Sequence, residues 1–367
     1  MNNEIRNESQ ALPESIRCVG ADDLTLSLFE NQYPVQPMGV SYNSYLILDE
    51  KIAVMDSVDA RAADEWLAKL AHELDGRSPD YLVISHMEPD HSGSILRLAE
   101  KYQEMKLVGN TKTFTMLRQF FGAKAPTDDR LLEVGEGETL PLGAHTLHFM
   151  LAPMVHWPEV MVAYEETEKI LFSADAFGRF GSLGRTANAP WAPQARRYYY
   201  NIVGKYGAQV QALLKKAAAL EIKTVCPLHG PVLTGEALGE ALRLYDLWSR
   251  WQSEAPEEIL LAHASIHGNT ARAAELLKQK LEAKGARVTL CDLTTTEVSY
   301  AVASAFYCGR LVLACPTYDG GLFPPMEEFL THLQAKGFRD RTVGLMENGS
   351  WAPAAARLMR ARLEEMK

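Results

Sequence analysis

The sequence predicts a two-domain α/β protein, and three observations carry that expectation. The chain has 367 residues, more than one hydrophobic core normally serves. From Gly39 to about Leu151, short apolar runs alternate with turn signals and helical stretches. After residue 254 the pattern becomes a regular alternation of strands and helices, which argues for a parallel, doubly wound sheet. We place the domains at 1–254 and 255–367.

In chain order, Tyr45-Leu46-Ile47-Leu48 and Ile52-Ala53-Val54-Met55 flank the turn Asp49-Glu50-Lys51, a hairpin. The apolar spacing of 61–74 is helical. Tyr81-Leu82-Val83-Ile84 reads as a buried strand, 92–102 as a helix and 145–150 as a strand. The stretches 209–220 and 235–251 read as helices. The polar run Gln252–Glu258, with Pro256 inside it, is the expected linker. Beyond it, Ile259–Ala262 is a short buried strand and 265–270 a loop. A helix over 271–284 ends at Gly285, a residue suited to a left-handed helix terminus. Further strands are expected at 287–291, 311–314 and 342–346.

Seven candidate metal ligands lie along the first two-thirds of the chain: His86, Glu88, Asp90, His91, His156, Asp175 and His229. The first four follow a buried strand in Ser85-His86-Met87-Glu88-Pro89-Asp90-His91-Ser92-Gly93. A lone histidine there would be an ordinary core residue, but four ligand types at one strand end are a metal signal. Zinc hydrolases of the metallo-β-lactamase superfamily have His-x-His-x-Asp-His in this place. Here Glu88 replaces the second imidazole. Hard anionic oxygen donors mixed with imidazole suit iron and manganese, whereas zinc has no redox chemistry. The substitution tilts the site from hydrolysis toward redox work. His72, His145, His148, His263 and His332 fall outside the pattern and read as structural or solvated.

In the second domain, Ser265, His267, Gly268, Asn269 and Thr270 stand between a strand and a helix, where backbone N–H groups and hydroxyls can cradle a phosphate. Two more loops follow later strands: Pro316-Thr317-Tyr318-Asp319-Gly320 and Asn348-Gly349-Ser350-Trp351. In a flavodoxin-like sheet such loops line one crevice at the switch point, where FMN binds. Tyr318 and Trp351 are candidate neighbours of its ring.

The ordered ligands resemble the di-iron site of the flavodiiron proteins. Gly39-Val40-Ser41-Tyr42-Asn43-Ser44-Tyr45-Leu46-Ile47, Ser173-Ala174-Asp175-Ala176-Phe177-Gly178 and Pro227-Leu228-His229-Gly230-Pro231 are similar to further segments of that family. The likeness covers nearly all of the chain from about Tyr33. It implies an N-terminal αββα metallo-β-lactamase-like sandwich and a C-terminal flavodoxin-like domain. It implies one iron on His86, Glu88 and His156, another on Asp90, His91 and His229, and Asp175 as the bridge. Glu88, Asp175 and a tyrosine from the run 198–200, with Tyr198 put first, would serve catalysis. The implied activity is reduction of O2 to water, or of NO to N2O, with electrons passing through FMN from a rubredoxin-like donor. A head-to-tail homodimer, or a dimer of dimers, would bring one chain's FMN to the other's irons. The sequence does not rank O2 against NO. Two departures stand out. His267 takes a place where the family often has Tyr or Trp. The sequence also stops within or just after the fourth helix, so the last strand and helix of a flavodoxin fold are missing and a longer natural chain is expected.

The net charge of −10 argues against a nucleic-acid surface. Five scattered cysteines form no disulfide framework. The polar start Met1-Asn2-Asn3-Glu4-Ile5-Arg6 lacks a signal core, and no run has membrane-spanning length. These features suggest a cytoplasmic protein. The competing readings are a zinc hydrolase with an attached flavodoxin domain and an electron-transfer flavoprotein with a vestigial metal domain.

Overall fold

The computed structural model describes residues 12–366; the polar hexapeptide at the start lies outside them. The chain divides into two compact units. One runs to Ala195 and takes in Gln209–Arg243, and the other comprises Arg196–Ala208 and the chain from Leu244. The cut expected at 254/255 therefore falls inside the second unit.

The first unit is built on two six-stranded sheets. One has the order Ile16–Cys18, Tyr45–Ile47, Ala53–Met55, Tyr81–Val83, Lys106–Gly109, Leu131–Glu133. The other has the order Thr139–Pro141, Thr146–Leu151, Met161–Glu165, Ile170–Phe172, Thr224–Cys226, Leu233–Thr234. Side chains alternate across a strand, so residues two apart share a face. Tyr45, Ile47, Ala53 and Met55 of the first sheet thus enter one apolar cluster with Leu147, Phe149, Met161 and Ala163 of the second. The intervening Leu46, Val54, Leu82 and Leu107 are buried as well. So are Trp66, Leu70 and Leu74, one stripe of the helix Ala63–Leu74. Sheets buried on both faces are the αββα sandwich that the family resemblance implied.

The hairpin expected at 45–55 forms, with Tyr45 opposite Met55. One local expectation fails usefully. The helix expected from Ser92 is preceded by a separate turn, Pro89–Ser92, which contains Asp90 and His91. Pro89 sits at its first position, where proline's missing N–H costs nothing. A second helix, Ile95–Lys101, then follows.

In the second unit, four strands run parallel in the order Val288–Asp292, Ala255–His263, Cys308–Tyr318, Thr342–Asn348. This is the flavodoxin-like order. Among the described residues, Thr342–Asn348 pairs only with Cys308–Tyr318. The expected linker is shorter than the sequence suggested, because Ala255–Glu258 already belong to a strand. A register shift between Ala255 and Ile259 absorbs Pro256, which has no N–H to give a ladder. The helix after the phosphate loop is Asn269–Glu282, two residues earlier than expected, and Gly285 is left-handed as foreseen (φ 86°). No helix among the described residues is long and apolar enough to cross a membrane. The five cysteines are not joined in disulfides.

Phe149 is fully buried in the cluster shared by the two sheets, whereas Leu276 is 52% exposed. Phe149→Ala is expected to cost about 3–5 kcal/mol of first-unit stability, and Leu276→Ala less than about 0.5 kcal/mol. Urea unfolding followed by tryptophan fluorescence measures both.

Candidate metal centre

The metal-ligand candidates reach one edge of the sandwich because of sheet direction. Ile170–Phe172 and Thr224–Cys226 are parallel neighbours, and Thr146–Leu151 runs the same way two strands over. Their carboxyl ends lead into His156, Asp175 and His229. The end of Tyr81–Val83 in the facing sheet supplies His86 to His91.

Two groups result: His86, Glu88, His156 and Asp175, and Asp90, His91 and His229. Within each group the donor atoms lie within 4.8 Å of one another. Asp175 faces both. Its Oδ2 lies 2.9 Å from His156 Nε2 and 3.5 Å from His86 Nε2. Its Oδ1 lies 3.3 Å from His91 Nε2 and 3.7 Å from His229 Nε2. Glu88 Oε2 is 3.2 Å from both imidazoles of the first group, and Asp90 Oδ2 is 3.3 Å from both of the second. Each group therefore offers two imidazoles, its own carboxylate and one oxygen of Asp175.

The donor set fits metal cations. His91 Nε2 and His229 Nε2 point at each other across 3.0 Å. Both oxygens of Asp90 and Oδ1 of Asp175 are buried and accept no well-directed hydrogen bond. Buried polar atoms left so are costly unless something charged sits among them. Electrostatics agree. Burial disfavours the imidazolium of His86, but Asp175, Glu159 and Glu88 outweigh it and hold His86 well above the ordinary histidine range. Burial likewise opposes charge on His156, while Asp175 and Glu88 lift it to about 9. Burial would raise Asp175, yet His86, His156 and His91 hold it well below the usual carboxylate range. Protons thus stand where cations would, and metal binding would release them.

The surrounding loops are fixed by hydrogen bonds. His86 Nδ1 and the Met87 N–H both donate to Glu159 Oε1, each at 2.8 Å. His229 Nδ1 donates to the Ser41 carbonyl at 2.7 Å. These partners engage Nδ1 and turn Nε2 of each ring toward its ligand group. Asn43 Nδ2 donates to the carbonyls of Pro227 (2.8 Å) and Gly230 (2.7 Å), clasping the His229 loop. Ser57 Oγ donates to the His91 carbonyl. Asp56, left-handed at φ 55°, accepts from the Ser85 N–H at 2.7 Å. Gly230 follows His229 at φ 80°, and a Cβ there would stand 2.6 Å from Arg179 Cγ, so glycine is required. A cavity of about 480 Å³ opens over the centre, lined among others by Phe29, Tyr42, Arg61, Glu88 and Asp90.

In the second unit, the three loops named from sequence line one cavity of about 490 Å³. Ser265, His267, Asn269, Thr270, Pro316, Thr317, Tyr318, Asp319, Gly320, Asn348, Gly349, Ser350 and Trp351 all lie on its wall. Gly268, at φ 81°, begins the helix without a side-chain cap, so the first-turn N–H groups are available to an anion. Ser265 Oγ is buried there without a partner. Trp351 is 82% exposed, and Tyr318, 42% exposed, packs edge-to-face with Phe323 at 5.5 Å. The residues fit FMN. Two of the hydrophilic candidates join loops together instead of pointing freely inward. Asn348 Nδ2 donates to Thr270 Oγ1 (3.3 Å), and Thr317 Oγ1 accepts from the N–H groups of Ala354 (2.8 Å) and Ala355 (3.2 Å). Tyr198 is buried in the second unit, in the segment 196–208, beside the neighbours Tyr199 and Tyr200 in sequence. Tyr199 and Tyr200 pack with Trp248, and Tyr200 stacks on Phe306 at 4.0 Å.

The model of a family described as ODP family beta lactamase matches residues 40–230. The chain belongs to that family. Its likeness to flavodiiron proteins extends over both units. The chain is 27% identical over 360 residues to rubredoxin-oxygen oxidoreductase of Megalodesulfovibrio gigas, covering 94% of this chain and 87% of that one. It is 27% identical over 366 residues to nitric oxide reductase of Moorella thermoacetica, covering 97% and 90%. The crystal structure of the flavodiiron protein from Giardia intestinalis superposes with a TM-score of 0.90 at 27% identity, covering 96% of this chain and 87% of that one.

For this ODP-family chain, sequence reasoning missed the residues that hold the ligands in place. Glu159 carried one signal, an acidic side chain three places after His156. Asn43 and Ser41 lay inside a quoted motif with no role attached. Tyr42 lay in that motif too, whereas Asp56 and Arg61 gave no signal, since only folding brings them to the site. His72, His145, His148, His263 and His332 belong to neither ligand group.

Asn43→Ala removes the Asn43 donor from the buried Gly230 carbonyl and one of two donors from the Pro227 carbonyl, which keeps the Tyr45 hydroxyl. We expect a loss of about 1–3 kcal/mol in thermal unfolding of the first unit, with lower metal content by elemental analysis.

Proposed function

We propose that the chain is an oxidoreductase that reduces O2 to water, NO to N2O, or both, at a non-haem di-iron centre. One observation carries the reading: a single buried carboxylate, Asp175, directs one oxygen to each of two matched ligand groups. Glu88 supports iron over the zinc of a hydrolase, because it adds an anionic oxygen where an imidazole would stand. When bound, two irons and one FMN together supply four electrons, enough for one O2 or for two pairs of NO.

The residues then divide the work. His86, Glu88 and His156 hold one metal, Asp90, His91 and His229 the other, and Asp175 bridges. Glu88 and Asp90 also line the cavity by which a small molecule arrives. Phe29, Leu26 and Leu28 give that cavity an apolar wall, suited to an uncharged diatomic. Tyr198 is assigned a role close to the reacting molecule, as in the family segment it resembles. Ser265 to Thr270 hold the FMN phosphate, and Tyr318 and Trp351 flank its ring. The first unit serves as the metal domain, and the second, which contains residues 255–367, as the flavin domain. A rubredoxin-like carrier delivers electrons, and a head-to-tail homodimer brings flavin and metal together. The protein works in the cytoplasm.

The test is elemental and flavin analysis of the purified protein, followed by an anaerobic assay with a reduced donor and either O2 or NO. Two irons and one FMN per chain with consumption of either gas are expected. Zinc without flavin would overturn the reading, and flavin reduction without gas consumption would reduce the protein to an electron carrier.

Two variants probe the two sites separately. Glu88→His restores the hydrolase-type ligand pattern, and we expect less iron and more zinc in the purified protein. Asn269→Ala with Thr270→Ala is expected to lower FMN content, read by absorbance, while iron content stays unchanged.

A further inference from the structure

We propose that Glu159 is a positioning residue that acts through His86 and makes the two metals unequal. This inference rests on the di-iron reading above. The atoms facing the metals give no reason for inequality, because each group has two imidazoles, one carboxylate of its own and one oxygen of Asp175. The difference lies one bond further out. His229 Nδ1 donates to a neutral acceptor, the Ser41 carbonyl, at 2.7 Å. His86 Nδ1 donates to an anion, Glu159 Oε1, at 2.8 Å. A carboxylate draws the ring proton toward itself and makes the opposite nitrogen a stronger donor.

Glu159 is built to direct its charge at that ring. Its side chain has no solvent exposure. Oε1 also accepts from the Met87 N–H at 2.8 Å, and Oε2 is buried without a well-directed hydrogen bond. Among the described residues, its one ion-pair partner is His86, and no Lys or Arg joins it. Its backbone is held too. The Glu159 carbonyl accepts from Asn110 Nδ2 at 2.6 Å, and Asn110 Oδ1 caps the helix Thr111–Phe121. A buried carboxylate of this kind is costly unless a positive centre lies close by, and His86 relays that need to the metal. The metal on His86, Glu88 and His156 is therefore bound more tightly, and its higher oxidation state is the more favoured of the two.

The test compares the unmodified chain with Glu159→Gln, which keeps the acceptor contacts and removes the charge, and with Glu159→Asp, which keeps the charge. Metal-free protein is titrated anaerobically with ferrous ion against a competing chelator. In Glu159→Gln, one binding step should weaken by about 10–100-fold while the other changes by less than about 3-fold. Mössbauer spectra of the protein loaded with enriched iron should show one of two doublets displaced, and Glu159→Asp should restore it in part. Equal weakening of both steps, or unchanged doublets with only a lower melting temperature, would overturn the inference and leave the di-iron reading standing. An unmodified chain that takes up zinc and fails to bind two ferrous ions would remove that reading and this inference with it.

Discussion

One carboxylate organises the first unit. Asp175 is 1% exposed, and its two oxygens divide between two groups of imidazoles. One side chain that faces both groups requires their imidazoles to arrive in mutual register. That demand explains how much of the nearby polar chemistry is spent on loops. Asn43 clasps the His229 turn, Asp56 collects the Ser85 N–H, and Glu159 collects His86 together with its neighbour's N–H. Each of these holders is itself buried.

Concentrating carboxylates and imidazoles in an apolar sandwich carries a large desolvation cost, and breaking one partner of such a pair costs about 3–5 kcal/mol. The sheets make this tolerable. Their shared apolar cluster supplies stability away from the strand ends, and the ligands occupy only the ends. Glu88 and Asp90, the two ligands that also line the cavity, are the least enclosed, with side chains 14% and 11% exposed. The imidazoles of His86, His91 and His229 are fully enclosed. Rigid nitrogen donors at the back and anionic oxygens at the mouth leave the open side of the centre polar, anionic and reachable.

The second unit solves a different problem with backbone. Its cavity is formed by three loops at the carboxyl ends of parallel strands, and the loops are joined by short side-chain bonds from Asn348 to Thr270 and from Thr317 to the start of the helix Ala355–Glu364. Held this way, the uncapped start of Asn269–Glu282 presents N–H groups in a fixed direction. The groups offered here are a helix terminus and hydroxyls, in contrast to the carboxylates and imidazoles gathered in the first unit.

Elements whose signal is local can be read from the amino-acid order alone. Period-two apolar runs marked the strands at 45–47, 53–55 and 81–83, and Gly285 marked a helix end. The candidate ligands stood out because their spacing after a strand is a local pattern, and the loop 265–270 because glycine and hydroxyl residues cluster between strand and helix. Where local signals competed, the reading slipped: Pro89 starts a turn of its own, and Pro256 looked like a linker because a register shift hides it inside a strand. Only the tertiary structure decided that Asp175 faces both groups, that His86 leans on an anion while His229 leans on a carbonyl, and that residues 196–208 pack with the second unit. The physical reason is distance along the chain. His86 and Glu159 are 73 residues apart, and Asn43 and Gly230 are 187 apart. No periodicity or spacing encodes such contacts. They exist only once two sheets close on a common core and bring their strand ends to one edge.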